Sequence, residues 1–228
     1  MRRKIIERVS GIFCFAVMLL TGCGSGTSTP TPVGTVVSLV QFKGYFVGKS
    51  AAGSQILFPL TGSDTSGNTW VGSHKIISDG TTVFENIPVT KSRIVVTLAN
   101  VLNQTPSTTL SRYFTTDESL YKEVYSSGVT GTPLSQKTVP DIIHVGEFGN
   151  LWVVYKSDGT SESATWKLEP DINGNSKLTY SFVYKDLANV EVGTESDTFY
   201  LDSAGNPYKE SVTLTTGGVT ITVSGNRT

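Results

Sequence analysis

The sequence predicts an all-β protein, an antiparallel, hairpin-rich curved sheet that forms a half-barrel or barrel. Three observations predict it. Apolar and polar residues alternate at period two, turn signatures recur at short intervals, and no long stretch places apolar residues at i, i+3, i+4 and i+7. An Ig-like sandwich is the alternative arrangement of the same elements.

The first eight residues carry Arg2, Arg3, Lys4 and Arg8 against the single acid Glu7, and an apolar run from Gly11 to Leu20 follows. These are the positive and apolar parts of an export signal. The run is too short to span a hydrocarbon core about 30 Å thick, which needs about 20 helical residues. It ends in Leu20-Thr21-Gly22-Cys23, which resembles the lipobox of bacterial lipoproteins. The resemblance covers only the signal segment, residues 1–22, and the cysteine behind it. It implies that the Cys23 thiol is alkylated with diacylglycerol, that a signal peptidase cuts before it, and that the new amino group is acylated with a chain such as palmitate. Two or three acyl chains, at about 0.8 kcal/mol per buried methylene, hold a protein on a membrane lastingly. Gly24 stands where an Asp, in enterobacteria-like lipoproteins, would favour the inner membrane. The implied address is the cell envelope, with the outer membrane favoured in a Gram-negative host.

Removing residues 1–22 takes four bases and one acid from totals of 18 and 19, which leaves 14 and 18 and a formal charge of −4. Nucleic-acid binding needs a basic face, so it is not expected. Cys14 is discarded with the leader and Cys23 is consumed by lipid. The mature domain then has neither disulfide nor thiol chemistry, and its core alone must hold it.

From Gly24 the chain runs to Thr35 in Gly, Ser, Thr, Pro and one Val, so residues 23–35 read as the lipidated cysteine and a flexible tether. Residues 36–228 form the β domain. Leu178-Thr-Tyr180-Ser-Phe182-Val-Tyr184, Val212-Thr-Leu214-Thr and Val219-Thr-Ile221-Thr-Val223 alternate as half-buried strands do. Asp-x-x-Gly-Asn occurs at Asp64–Asn68, Asp171–Asn175 and Asp202–Asn206, with Asp suited to bond its own turn and Gly to positive φ. Ser-Asp-Gly-Thr at Ser78 and Ser157, and Gly217-Gly218, mark shorter hairpins. Residues 128–149, broken by Gly131, Pro133, Pro140 and Gly146, read as a crossover or as a linker between subdomains 36–126 and 138–228. Helical turns are expected only near Ser119–Tyr125.

Tyr113-Phe114 followed by Tyr121-Lys122-Glu123 recurs as Tyr200-Leu201 followed by Tyr208-Lys209-Glu210, both pairs 87 residues apart. Short matches of this kind arise easily among hairpins, and no function is read from them. Ser119-Leu-Tyr-Lys122 with Val139-Pro-Asp-Ile-Ile-His-Val-Gly146 is similar in rhythm to periplasmic half-barrel lipoproteins that carry acyl chains. The similarity covers about a third of the chain and has no family-defining residue. It implies a curved sheet with an apolar concavity.

Catalytic signatures are sparse. His74 and His144 lie seventy residues apart in no metal-ligand spacing, so each reads as a strand or loop histidine satisfied by hydrogen bonds, and neither a metal site nor a cofactor is expected. There is no nucleophile elbow, phosphate loop or dinucleotide fingerprint. Asp171-Ile-Asn173-Gly174-Asn175 echoes the start of a calcium loop but lacks its later ligands, and reads as a turn. Glu191, Glu195 and Asp197 would share one strand face if no bulge intervened. Gly193 is expected to interrupt that face and leave a solvated acidic edge that discourages sheet association. Among the aromatics, which include Trp70 and Trp166, the set Tyr180, Phe182, Tyr184 and Trp152 is the candidate lining of a pocket, with ordinary core as its commoner use.

The expected role is that of a non-catalytic, membrane-anchored envelope lipoprotein that binds a small apolar molecule or an envelope protein, or that has a structural part in an envelope assembly. A hydrolase of envelope polysaccharide using Glu191, Glu195 or Asp197 is the second reading, and an Ig-like adhesion module the third.

Overall fold

The computed structural model describes residues 35–100, 107–137 and 139–228, so the leader, Cys23 and nearly all of the tether lie outside the described residues. The chain enters through β1 (Val36–Ser38) and a short helix, α1 (Val40–Phe46). Six strands follow: β2 (Gln55–Asp64), β3 (Thr69–Phe84), β4 (Ile87–Asn100), β5 (Thr108–Phe114), β6 (Leu120–Tyr125) and β7 (Thr130–Gln136). A three-residue β8 (Ile142–His144) leads into six more: β9 (Phe148–Lys156), β10 (Ser161–Pro170), β11 (Ser176–Lys185), β12 (Glu191–Leu201), β13 (Pro207–Thr216) and β14 (Val219–Asn226).

The two sets of six close into one antiparallel barrel of twelve strands, with β7 against β9 at one seam and β14 against β2 at the other. β1 and β8 pair separately, Val37 opposite Ile143. The predicted curved sheet is thus fully closed, and neither a sandwich nor a pair of separate subdomains forms. The segment read as a crossover supplies β7, which steps over its own Pro133 by a bulge between Pro133 and Ser135.

The three Asp-x-x-Gly-Asn motifs fold alike. In each, the Asp N–H donates to the Asn carbonyl, at 3.0 Å for Asp64, 2.9 Å for Asp171 and 3.0 Å for Asp202. In the first and third, an Asp Oδ1 also accepts from the backbone N–H two and four residues on. Gly217 and Gly218 form the expected two-residue turn and Ser157 opens another, but Ser78-Asp-Gly-Thr does not. It is a bulge inside β3, held by a bond from Ser78 Oγ to the Ser50 carbonyl at 2.7 Å. The hairpin falls at Glu85-Asn86, both at positive φ, as a type I′ turn requires.

Helical structure is also displaced from the prediction. Ser119 belongs to the β5–β6 turn and Leu120–Tyr125 is a strand, because pairing with β5 gives these β-branched and aromatic residues ladder partners. The helix instead occupies Val40–Phe46, with Leu39, Phe42 and Phe46 along one stripe. Seven residues do not make a stable helix alone. α1 is held because it plugs the barrel: Phe42 stacks near Tyr180 and Phe199, and Phe46 lies 5.0 Å from Tyr180 and 6.2 Å from Trp152, ring to ring. Burial of each phenylalanine contributes about 1.5–3 kcal/mol. Lys43 fastens the plug by ion pairs to Glu118 on the β5–β6 turn and to Asp141 before β8. Burial works against its charge, yet the two carboxylates hold its pKa above the ordinary value.

Inward positions of the strands are apolar, as in Leu178, Tyr180 and Phe182, while the outer face carries ladders of hydroxyls such as Thr179 with Thr198 and Thr215 with Thr220. At the β14–β2 seam two glycines permit close approach of backbones. A Cβ on Gly62 would lie 1.9 Å from the Thr222 carbonyl oxygen, and one on Gly225 would lie 1.6 Å from that of Pro59. Gly62→Ala is therefore expected to destabilise the barrel by about 1–3 kcal/mol, read as a lowered denaturant midpoint. Thr61→Ala, on the exposed face of the same strand, should leave that midpoint nearly unchanged.

Candidate functional site

Beyond the plug, the barrel encloses a cavity of about 230 Å³. Its lining interleaves apolar and polar groups: Ile94, Val96 and Leu98 of β4, Leu110 of β5, and Val212 and Leu214 of β13 stand among His74 of β3, Tyr184 of β11 and Glu195 and Asp197 of β12, with His74 opposite Val96 and Glu195 opposite Leu214 in their ladders. Phe46, Arg112 and Phe199 also contribute to the lining. Exposure rises away from the plug. Along β5, Arg112 and Leu110 are buried and Thr108 is exposed, and along β13, Glu210 and Val212 are buried while Leu214 is half-buried. The cavity accordingly opens at the end of the barrel opposite α1.

Next to the plug lies a buried charge cluster. Arg112 is 3% exposed, and its Nε donates to Glu123 Oε1 at 2.8 Å. Its guanidinium also lies 4.8 Å from the Trp152 ring and 5.3 Å from that of Phe46, within cation–π range. Glu162 sits 3.9 Å from Arg112 Nη2, accepts from Trp152 Nε1 at 3.3 Å, and lies 3.2 Å from Lys156 Nζ. Tyr125 Oη bridges Glu123 and Glu162, donating at 3.2 Å to each in turn. Burial opposes the charge on Arg112, but Glu123 and Glu162 more than restore it, and its pKa is raised. Burial and then the charge of Glu162 push the Glu123 carboxyl up, partly countered by Arg112.

A second cluster lies farther round the wall. His74 Nδ1 and Glu210 Oε1 are 2.6 Å apart, and Tyr184 Oη donates to Glu195 Oε2 at 2.7 Å. Burial holds Asp197 well above the usual carboxylate range, with Glu195 and Glu210 adding to the effect. His74 is raised as well: burial is the largest influence and lowers it, but the charge and hydrogen bond of Glu210 and the charge of Glu195 together outweigh it. One ligating atom each from His74, Asp197 and Glu210 falls within 4.8 Å of the others. Counting both clusters, five carboxylates (Glu123, Glu162, Glu195, Asp197 and Glu210) face two fixed cations, Arg112 and Lys156. The interior is acidic.

The four aromatics predicted to line a pocket all point inward. Phe182 and Tyr184 line the cavity, whereas Tyr180 and Trp152 pack against Phe46 of the plug. The predicted acidic edge is corrected. β12 carries a bulge where Gly193 pairs with Tyr184 and Glu191 with Lys185, so Val192 is skipped. That bulge leaves Glu191 exposed at the strand end, while Glu195 and Asp197 turn into the barrel instead of toward solvent. His74 is a buried strand histidine with a hydrogen-bond partner, but the fold also brings two carboxylates beside it, which sequence spacing did not show. Arg112, Glu123, Glu162 and Glu210 were not foreseen. For three of them the signal is phase: Arg112 alternates in step with Leu110 and Phe114, Glu162 with Ala164 and Leu168, and Glu210 with Val212.

Comparison of the chain with protein-family models, with curated proteins and with solved structures finds no match.

Because a buried ion pair broken on one side leaves its partner uncompensated, Arg112→Met should cost about 3–5 kcal/mol by urea denaturation. The double variant Arg112→Met/Glu123→Gln should recover part of that loss. A single variant as stable as the parent would show that the cluster carries no stabilising charge.

Proposed function

We propose that the chain is a lipid-anchored envelope protein whose barrel holds one small molecule with an apolar body and a hydrogen-bond-donating head. The observation that carries this reading is the cavity itself: closed below by α1 and lined by aliphatic side chains interleaved with Tyr184 and the carboxylates of Glu195 and Asp197. Recognition sites of this kind join apolar walls to a few placed polar groups. An engineered apolar cavity of about 150 Å³ admits benzene, so about 230 Å³ suits a ligand of about ten non-hydrogen atoms. A polysaccharide chain needs an open groove, which makes the hydrolase the weaker reading.

The anchor rests on the leader and on Leu20-Thr21-Gly22-Cys23, and the outer face of the barrel supports it. That face is rich in Ser, Thr and Lys, whereas a lipid-facing barrel carries an apolar band there, so attachment through lipid at Cys23 suits it better than insertion.

Two measurements check the two halves of the reading. Cys23→Ser should abolish incorporation of labelled fatty acid and leave an uncut precursor of higher mass; undiminished labelling would refute the anchor. In a thermal-shift screen of small aromatic and aliphatic amines and alcohols, some of about ten non-hydrogen atoms should raise Tm. Val96→Trp, which fills the cavity, should remove that response without loss of β-sheet signal. A response that survives this substitution would place the binding elsewhere.

A further inference from the structure

His74 of β3, Asp197 of β12 and Glu210 of β13 converge from different parts of the barrel wall, and their side chains are almost wholly withdrawn from solvent, at 3%, 7% and 0% exposure. Each keeps one buried polar atom without a partner: His74 Nε2, Asp197 Oδ1 and Glu210 Oε2. Buried polar groups are nearly always satisfied, and leaving one unpaired is costly. Ligating atoms of these three residues lie within 4.8 Å of one another, so one partner can serve all three. Glu195 lies on the same face of β12 as Asp197, while Arg112 pairs with Glu123 and Lys156 with Glu162. A water molecule would supply hydrogen bonds alone, whereas a divalent cation binds an imidazole and carboxylates together.

We propose that His74, Asp197 and Glu210 bind a divalent transition-metal ion of the zinc class in the wall of the cavity. The donor set selects the class: an imidazole with carboxylates suits zinc and its neighbours, whereas calcium and magnesium prefer oxygen alone. The contact between His74 Nδ1 and Glu210 Oε1 at 2.6 Å already sets an imidazole nitrogen beside a carboxylate oxygen, so an ion that replaces the proton between them is ligated by both. Bonds of about 2.0–2.2 Å bring the donors closer together than they now stand, a contraction within reach of small side-chain rotations. Three protein ligands leave one position of a tetrahedral ion free, and His74 and Asp197 line the cavity, so that position is open to a bound molecule. The metal site does not depend on the small-molecule reading.

The test uses the full chain without a histidine tag, purified in detergent micelles and stripped with a chelator. Titration with zinc chloride by calorimetry should give one equivalent bound at micromolar affinity or tighter, and equal concentrations of calcium or magnesium should give none. His74→Gln and Asp197→Asn should each weaken zinc at least tenfold. Leu110→Trp, which fills the cavity from β5, away from His74, should keep zinc while losing the small-molecule response, so the two readings fail separately. Should either ligand variant not fold, cobalt(II) added to the unaltered chain decides: visible absorption of four-coordinate cobalt supports the site, and its absence overturns it. Absence of zinc binding by the folded chain, or affinity unchanged in both variants, also overturns it.

Discussion

A guanidinium with almost no access to water stands where this barrel most needs filling. Twelve strands enclose more space than inward side chains occupy in an eight-stranded barrel, and Arg112 is the point at which plug and wall meet. Its charge is held by Glu123 of β6 and Glu162 of β10, and its flat faces lie near the rings of Phe46 from α1, Trp152 from β9 and Phe182 from β11. Lysine could provide the charge but not the planar contacts. The seven-residue helix, the aromatic floor and the lower limit of the cavity all depend on this group keeping its place.

The two sets of six strands clarify why charge is distributed unevenly inside. The residues that match at an offset of 87 fall on β5–β6 and β12–β13, the fourth and fifth strands of each set, and both hairpins carry a bulge at the same step, after Tyr113 and after Tyr200. Such agreement of strand order, bulge and buried glutamate is what a duplicated half would produce. One of the differences between the halves bears on charge. Glu123 faces Arg112 across its ladder, whereas Glu210 faces Phe199. Deprived of a cation on its neighbouring strand, Glu210 turns to His74 of β3, from the other six-strand set. The acidic cluster is the consequence of that replacement.

The strand class, the alternating faces and most turns were legible because they are local: period two marks the inward positions, and an Asp with a Gly three residues on marks the hairpins. The inward aim of Tyr180, Phe182 and Tyr184 was readable on the same ground. Ser78-Asp-Gly-Thr misled because a bulge and a hairpin ask the same residues for positive φ, and only pairing with β2 and β4 separates the two. Glu195 and Asp197 were expected in solvent because charge usually lies there. Their alternation with Phe199 and Leu201 was the better guide, since phase fixes which face a strand residue takes before chemistry has a say. Meetings between distant strands, such as His74 with Glu210, leave no trace in spacing.

The seam between β14 and β2 joins the last strand of the chain to the first strand of the barrel. Folding cannot therefore proceed strand by strand to completion as the chain emerges. Until β14 arrives, β2 keeps an open edge. Contacts so far apart in sequence make for slow folding. Until β14 pairs with β2 the wall stays open, so α1 is enclosed only when strands from both sets of six have come together.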